Sequence, residues 1–464
     1  MLVCSILVLS CCSAAQASFA LETQTLPSAP TPQAGSGPTL SNASPTGGQS
    51  SAPQANHTNR MTLSLKEAEA QALKNNPQIS VARLTALASA QVTREVRSNL
   101  WPTAEANLTA VDSRENSRIT AGGLNNPIIY QRAAVGATVS QLITDFGHTT
   151  NLVSSANFAA KAEDQNALAT KEQILLAVDQ AFYAALQAHA VLAVAQQTVS
   201  ARQTVADQVE ALFKSQLKSQ LDFSFANVNL AQAKLLLLDA ENNENAALAS
   251  LSAVLGYPAV QNFQLVEDTT AIVAPPGNVD DLISQALATR PEILALGFEY
   301  QSAQRFQTAE RDLLLPTIRA VGAMGDTPVR NPVLSNWYGA VGVNVEIPVF
   351  NGFLYTAKAR EAGLREQATQ DRLRDLRNRI SRDVRTSWLN ANAAYQRVSV
   401  TQQLLDQATL ALDLAQTRYR LGLSSIVELS QAQLQQTQAQ ISSAQASYDY
   451  RLALAVVRYQ TTGI

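Results

Sequence analysis

One stretch of this sequence, residues 148–255, contains neither proline nor glycine over 108 consecutive positions. It is rich in Ala, Gln and Leu, which favour helix, and it lacks the two residues that most readily interrupt one. Apolar residues recur every seven positions in two series: Leu168, Leu175 and Phe182, and Val178, Ala185 and Leu192. This spacing is typical of a coiled-coil seam. A single helix over 148–213 would be about 100 Å long at roughly 1.5 Å per residue.

The pattern breaks once, between Ser215 and Gln220, and then resumes. We therefore predict an antiparallel helical hairpin over about 148–255. A second stretch, free of proline after Pro348, breaks at 421–425 and predicts another hairpin over about 353–460. Glycine at that break suits the end of one helix, and serine suits the N-cap of the next. Helices of this length must project from a domain or join an assembly.

Two segments upstream of each hairpin alternate apolar and polar residues, as a β-strand with one apolar face does. They are about 103–111, 132–141, 317–324 and 337–347. Their length suits a tilted transmembrane strand, although a half-buried strand of a soluble sheet alternates in the same way. Trp337 and Tyr338 suit either a girdle at the membrane interface or the core of a sheet.

The two halves of the chain match each other at constant spacing, which indicates an internal duplication. Gln71 and Gln285 are 214 positions apart, as are several pairs up to Pro102 and Pro316. Beyond the strands the spacing becomes 206, from Val135 and Val341 to the end of the hairpins. The predicted unit is short helices, two strands and a helical hairpin, present twice.

Four strands cannot close a barrel, for which about eight are the minimum. Open strand edges cannot remain in lipid, because each unsatisfied backbone group costs several kcal/mol. If these strands lie in a membrane, several chains must combine them. The sequence therefore favours a closed oligomer in which a β-barrel continues into a helical tube.

Composition excludes several other classes. Only 15% of residues are charged and the net charge is −3, which argues against nucleic-acid binding. The three histidines, His57, His148 and His189, show no metal-ligand spacing, and no phosphate-binding loop or catalytic motif is present. We expect no enzyme activity, no metal and no cofactor.

The N-terminus has the features of an export signal. A short apolar run, small residues and Ala15-Gln16-Ala17 predict a signal peptide over 1–17. A lipoprotein alternative would acylate Cys11. The proline- and serine-rich segment 18–60 is predicted to be a disordered leader.

The element order, the duplication and the turn Arg418-Tyr419-Arg420-Leu421-Gly422-Leu423-Ser424-Ser425-Ile426-Val427-Glu428 resemble the TolC family of outer-membrane efflux proteins. The resemblance implies an α+β membrane protein with two efflux repeats, 61–260 and 261–464. It implies a homotrimer with a 12-stranded barrel in outer-membrane lipid and a 12-helix periplasmic tunnel in a Gram-negative bacterium. Such a duct is passive and docks onto a periplasmic adaptor and an inner-membrane pump. A soluble periplasmic coiled-coil scaffold or adaptor is the alternative.

The resemblance also implies roles for the two hairpin turns. Adaptor docking would involve Leu217, Ser219, Leu421, Gly422, Leu423 and Ser425, although the first turn lacks the glycine. Asp222 and Glu428 would place six carboxylates of a trimer near the tunnel entrance, where they would favour cations. Arg418, Tyr419 and Arg420 would help to hold this gate closed. The alternative is that both acids only stabilise the first turns of their helices.

Overall fold

Helices dominate the computed structural model, which describes residues 61–114, 131–267, 272–275, 277–330 and 335–461. The helices of this part of the chain are α1 (Leu65–Asn75), α2 (Pro77–Ser98), α3 (His148–Lys214), α4 (Gln220–Val254), α5 (Val279–Thr289), α6 (Pro291–Asp312), α7 (Leu354–Arg420) and α8 (Ile426–Thr461). Its strands are β1 (Met61–Leu63), β2 (Thr103–Val111), β3 (Arg132–Thr144), β4 (Phe263–Leu265), β5 (Thr317–Val329) and β6 (Trp337–Glu346). The predicted signal peptide, leader and Cys11 lie outside the described residues.

Two helices of 67 residues, α3 and α7, form the long axes of the molecule. Each folds back onto a shorter helix, α4 of 35 residues or α8 of 36. Both hairpins match the prediction, with small corrections at their ends: α3 reaches Lys214, the first turn ends at Ser219, and the second hairpin begins at Leu354. The start positions of α3 and α7, 148 and 354, differ by the same 206 residues as the sequence match.

Side chains on the predicted seam of α3 are buried between helices. Val178, Ala185 and Leu192 are 0%, 1% and 8% exposed. In the other series, Leu175 and Phe182 are buried, whereas Leu168 is 46% exposed. Within the described residues, α3 alone contains a stretch long and apolar enough to cross a membrane. It packs against α2, α4, α6 and α8, and is therefore a central helix of the bundle.

A small mixed layer surrounds the middle of α3. Strand β1 pairs in parallel with β4, which brings Leu63 against the helical core. Helix α1 begins with a capping box, in which Ser64 and Glu67 exchange hydrogen bonds with each other's backbone N–H. Its buried face, Ala68 and Ala72, packs on Val178 and its neighbours in α3.

Each long helix has a second companion near its strand end. Helices α2 and α6 are both 22 residues long and start with a proline, Pro77 or Pro291, where the missing N–H costs no helical hydrogen bond. Helix α2 packs on α3, whereas α6 packs on both α3 and α7. Helix α6 therefore joins the two halves of the chain.

The four longer strands form a single antiparallel sheet in the order β2-β3-β5-β6. The two predicted strand pairs are joined by pairing between β3 and β5. Two strands are longer than predicted: β3 continues to Thr144 and β5 to Val329. Strand β6 ends at Glu346, one residue earlier than predicted. The chain then turns into α3 through two positive-φ residues, Phe146 and Gly147, and into α7 through Gly352 and Phe353.

Candidate functional site

The register of the sheet places most of the apolar residues of the four strands on one face. Residues paired across neighbouring strands point to the same side, so the apolar positions of neighbouring strands lie side by side. This face consists of Ala104, Ala106, Leu108, Val135, Ala137, Val139, Ile318, Ala320, Gly322, Met324, Trp337, Val341, Val343 and Val345, together with the polar residues Gln141 and Asp326. Thr103, Glu105, Asn107, Thr138, Ser140, Asn344 and Glu346 lie on the opposite face.

The apolar face is exposed in the single chain. Leu108 on β2 is 88% exposed and Val341 on β6 is 93% exposed. Both strands are also edge strands, with one row of backbone groups lacking a strand partner among the described residues. A surface that is both apolar and open at two edges is incomplete without lipid and further strands.

Tyr338 lies on the polar face, opposite Trp337, and fills the space above two glycines. Gly136, Gly325 and Tyr338 are consecutive partners across β3, β5 and β6. A Cβ atom on either glycine would collide with the tyrosine ring or hydroxyl. Only Trp337 therefore fits the lipid-facing girdle that the sequence suggested for both residues.

The first helical turn ends α3 with two hydrogen bonds of a Schellman motif. The Leu217 N–H donates to the Leu212 carbonyl at 2.9 Å, and the Gln216 N–H donates to the Phe213 carbonyl at 2.9 Å. Gln216 takes a left-handed φ of 59°, a conformation that favours glycine. Leu217 is left 72% exposed at the end of the hairpin.

The second turn has the same hydrogen bonds. The Leu423 N–H donates to the Arg418 carbonyl at 2.8 Å, and the Gly422 N–H donates to the Tyr419 carbonyl at 3.1 Å. Gly422 occupies the place of Gln216, with a φ of 72°. The two turns therefore have the same backbone conformation, although the first lacks the glycine of the second. Leu421 and Leu423 are 68% and 67% exposed.

The two acids beyond the turns have different partners. Asp222 Oδ2 accepts hydrogen bonds from the Ser219 N–H at 3.1 Å and the Ser219 hydroxyl at 2.8 Å, while the Asp222 N–H donates to Ser219 Oγ at 3.1 Å. The Glu428 N–H donates to Ser425 Oγ at 3.3 Å, but its carboxylate pairs with Arg418 at 3.5 Å. Asp222 thus completes a capping box, whereas Glu428 links α8 to α7.

Tyr419 lies at the contact between the two turns. Lys218 Nζ is 4.3 Å from the centre of its ring. Burial raises the pKa of the Tyr419 hydroxyl, and the negative charge of Asp222 raises it further. The hydroxyl has no hydrogen-bond partner among the described residues. Arg420, the next residue, donates to Thr417 Oγ1 at 3.3 Å.

An apolar cluster joins the ends of both hairpins. Its buried members come from all four long helices: Ala206, Val209, Ala226, Leu230, Ala415, Ile426, Leu429 and Ala432. Phe213 and Phe223 stack across the first turn with ring centres 5.4 Å apart. The predicted gate and docking residues therefore lie around one packed end, which both hairpins share.

The sequence analysis missed two buried residues of charged type on α3. Asp179 is 0% exposed and Arg202 is 8% exposed, both on α3. Arg202 lies seven residues from Ala195 and seven from Val209, and both of these residues are buried. A charged residue at a heptad position of the seam could therefore have indicated from the sequence that Arg202 is buried. Within the described residues, no group of three or more His, Cys, Asp or Glu side chains could hold a metal ion.

Comparison with known proteins identifies related sequences over both halves. The model of the family described as "Outer membrane efflux protein" matches residues 70–257 and 282–459. The outer membrane efflux protein BepC of Brucella suis is 25% identical over 327 residues, covering 69% of this chain and 70% of BepC. The outer membrane protein TolC of Escherichia coli K12 is 22% identical over 400 residues, covering 82% of this chain and 78% of TolC.

The fold is also found in solved channel structures. The Campylobacter jejuni CmeC outer membrane channel superimposes with a TM-score of 0.76 at 16% sequence identity. The match covers 86% of this chain and 85% of CmeC. At this identity the similarity establishes the shared fold.

Proposed function

The chain belongs to the outer membrane efflux protein family, and on that premise we propose that it is a passive trimeric exit duct of a tripartite efflux or type I secretion system. It is an outer-membrane protein of the TolC type with a periplasmic tunnel, and not an enzyme. The apolar, uncovered face of the four-stranded sheet is the observation that carries the proposal.

Trimer formation would solve the problem of the open sheet. Three copies of the four strands would give twelve, enough to close a barrel. In that barrel the edge of β2 would pair with the edge of β6 from the next subunit, the apolar face would contact lipid, and the polar face would line the lumen. Closure would satisfy the backbone groups that lipid cannot.

We assign the two efflux repeats to residues 61–260 and 261–464. Each would contribute one long helical hairpin, so three subunits would surround the tunnel with twelve helices. The equal lengths of α3 and α7 support this arrangement, because a tube needs walls of equal height. The two hairpins, each preceded by strands, disfavour a soluble scaffold or adaptor.

The ends of the hairpins would be the periplasmic entrance. We propose that Leu217, Ser219, Leu421, Gly422, Leu423 and Ser425 dock a periplasmic adaptor that connects the duct to an inner-membrane pump. Exposed leucines on two turns of equal geometry support this role, since apolar side chains presented to solvent favour association.

We propose that Asp222 and Glu428, with Arg418, Tyr419 and Arg420, control the width of that entrance. The Arg418–Glu428 pair would hold α7 against α8, and the half-buried Tyr419 ring would hold the second turn against the first. Opening would require these contacts to separate. The pair is half exposed, so each copy contributes little and high salt would weaken it.

Cross-linking tests the trimer directly. Cysteines placed at Leu108 on β2 and Val341 on β6 lie on opposite edges of the sheet, and a short bifunctional maleimide should link them between subunits in isolated outer membranes. We expect products of two and three times the mass of the single chain found in those membranes. The matched control places cysteines at Ala137 and Met324, which are neighbours on the inner strands, and should give only the monomer.

Two results would contradict the proposal. One is a double-edge variant that remains monomeric in the membrane. The other is release of the native protein from membranes by buffer without detergent, because an apolar sheet in lipid would not dissociate under that treatment.

A further inference from the structure

A buried cation on α3 lies among uncharged residues. The Arg202 side chain is 8% exposed and reaches from α3 to α8, where it donates a hydrogen bond to Gln433 Oε1. A guanidinium group has five N–H donors, so most of them remain available. Arg202 is twelve residues before the end of α3 at Lys214, which is about 18 Å at 1.5 Å per residue. It therefore lies beyond the turns themselves, one helical turn from Ala206 of the apolar cluster that joins the hairpin ends.

No carboxylate among the described residues lies within ion-pair distance of Arg202. Burial lowers the pKa of its guanidinium, and no neighbouring acid opposes this effect. The group nevertheless stays charged, because arginine is not deprotonated in proteins. A buried charge without a counter-charge is costly.

The packing of the long helices does not require an arginine at this position. The corresponding position of the second hairpin, 206 residues later, holds Ala408, which is also buried at 7% exposure. The same seam is thus filled by a small apolar residue in one hairpin and by a cation in the other.

Arg202 lines a cavity of about 220 Å³ between α3, α7 and α8. Its wall contains the side-chain amides of Gln197, Gln416, Gln436 and Gln440, each of which can donate two hydrogen bonds. The wall contains no acidic residue. The hydroxyls of Thr198 and Thr437 already donate to carbonyls of their own helices, so arginine and glutamine supply the free donors.

We propose that this cavity is a binding site for a small monovalent inorganic anion, which neutralises Arg202 and fastens α8 of the second hairpin to α3 of the first. The single positive charge selects a single negative one. The surrounding amides replace water around the anion without adding charge. Since α7 and α8 also carry the proposed entrance, the anion would stabilise the closed packing of the two hairpins.

The test uses chloride and bromide as probes on the purified full-length protein in detergent. Chloride replaces gluconate at constant ionic strength while tryptophan fluorescence follows thermal unfolding. We expect the wild-type midpoint to rise by about 2 °C or more and to level off as the site fills. Crystals in sodium bromide should show an anomalous scattering peak beside the Arg202 guanidinium.

Arg202→Gln should lose both the saturable rise and the bromide peak, and Arg202→Lys should retain part of the rise. Arg202→Ala, which copies the residue of the second hairpin, provides a folded reference if the glutamine variant is unstable. Arg379→Gln removes an exposed arginine paired with Asp375 and should respond as the wild type does. An equal chloride response in Arg202→Gln, or a carboxylate of a neighbouring subunit occupying the bromide position, would overturn the proposal.

Discussion

Asp179 offers a quantitative test of the packing around α3. Asp179 is fully buried, and neither of its carboxyl oxygens has a hydrogen-bond partner within the part of the chain that the structure describes. Burial and the neighbouring Glu69 carboxylate raise its pKa to about 7, against the opposing charge of Arg458. The substitution Asp179→Asn keeps the shape of the side chain and removes the charge.

The direction and size of the change in folding stability with pH follow from the difference in proton binding between the native and unfolded states. The native state holds the Asp179 proton up to about pH 7, whereas the reference pKa of 3.8 applies after unfolding. The native state therefore binds more protons between these values, and stability falls as pH rises through this window. The cost relative to a neutral side chain is about 2 kcal/mol at pH 5 and about 4 kcal/mol at pH 8. The increase of stability cost between these pH values, on the order of 2 to 3 kcal/mol, is absent in the asparagine variant.

The measurement is the unfolding midpoint of the detergent-solubilised protein between pH 5 and pH 8. We expect Asp179→Asn to unfold at a higher temperature than the wild type at both pH values, with the difference between their midpoints increasing by about 3 °C from pH 5 to pH 8. The control is Asp207→Asn on the same helix. Asp207 is exposed and accepts a hydrogen bond from Gln203 at 2.8 Å, so its replacement should not change the pH dependence.

One result would refute this reasoning. If Asp179→Asn is less stable than the wild type at pH 8, the charged carboxylate is stabilised in the native protein. A neighbouring subunit or Arg458 would then compensate the charge, and the effect of burial would be the smaller one.

Three further predictions concern the turns, the entrance and the sheet. Gln216→Gly should stabilise the protein by about 1 kcal/mol by relieving a left-handed φ, and Gly422→Ala should destabilise it by a similar amount, both read from thermal unfolding; opposite signs would contradict the shared turn geometry. Arg418→Ala should raise single-channel conductance in planar bilayers, and Glu428→Gln should lower cation selectivity; unchanged currents would remove both residues from the gate. Gly325→Val should reduce the yield of detergent-resistant trimer, because its side chain collides with the tyrosine above it; a normal yield would show that the ring can move aside.

Local pattern predicted most of the fold. The absence of proline and glycine over 148–255 and the heptad series predicted the first helical hairpin to within a few residues, and the proline-free stretch after Pro348 predicted the second. Alternation located the strands, because a period of two is visible in the sequence wherever one face is apolar. Strand ends were less accurate: β5 continues to Val329 through Gly325 and Asp326, which interrupt the apolar pattern but still pair with β6.

The candidate site was only partly predictable. The turn residues stand out because helix ends demand glycine, serine and acids at fixed positions. The partner of each side chain cannot be read from the sequence. Asp222 and Glu428 occupy equivalent positions, yet Asp222 caps its own helix and Glu428 pairs with Arg418. Arg202 and Asp179 were missed because burial of a charge depends on which helix covers it.

The sequence by itself determined that this chain is duplicated, that its helices are too long for a single globular domain, and that its strands each have one apolar face. Those properties depend on residue identity and spacing along the chain. Only the tertiary structure decided that β3 pairs with β5, so that four apolar strand faces combine into one surface. It also decided that Gln216 and Gly422 form the same turn, and that α3 carries two buried charges. The strand pairing and the burial of Asp179 and Arg202 depend on contacts between residues far apart in the chain, whose free energy no local pattern contains. The first turn was not predictable because Gln216 adopts a left-handed φ that its residue type does not favour.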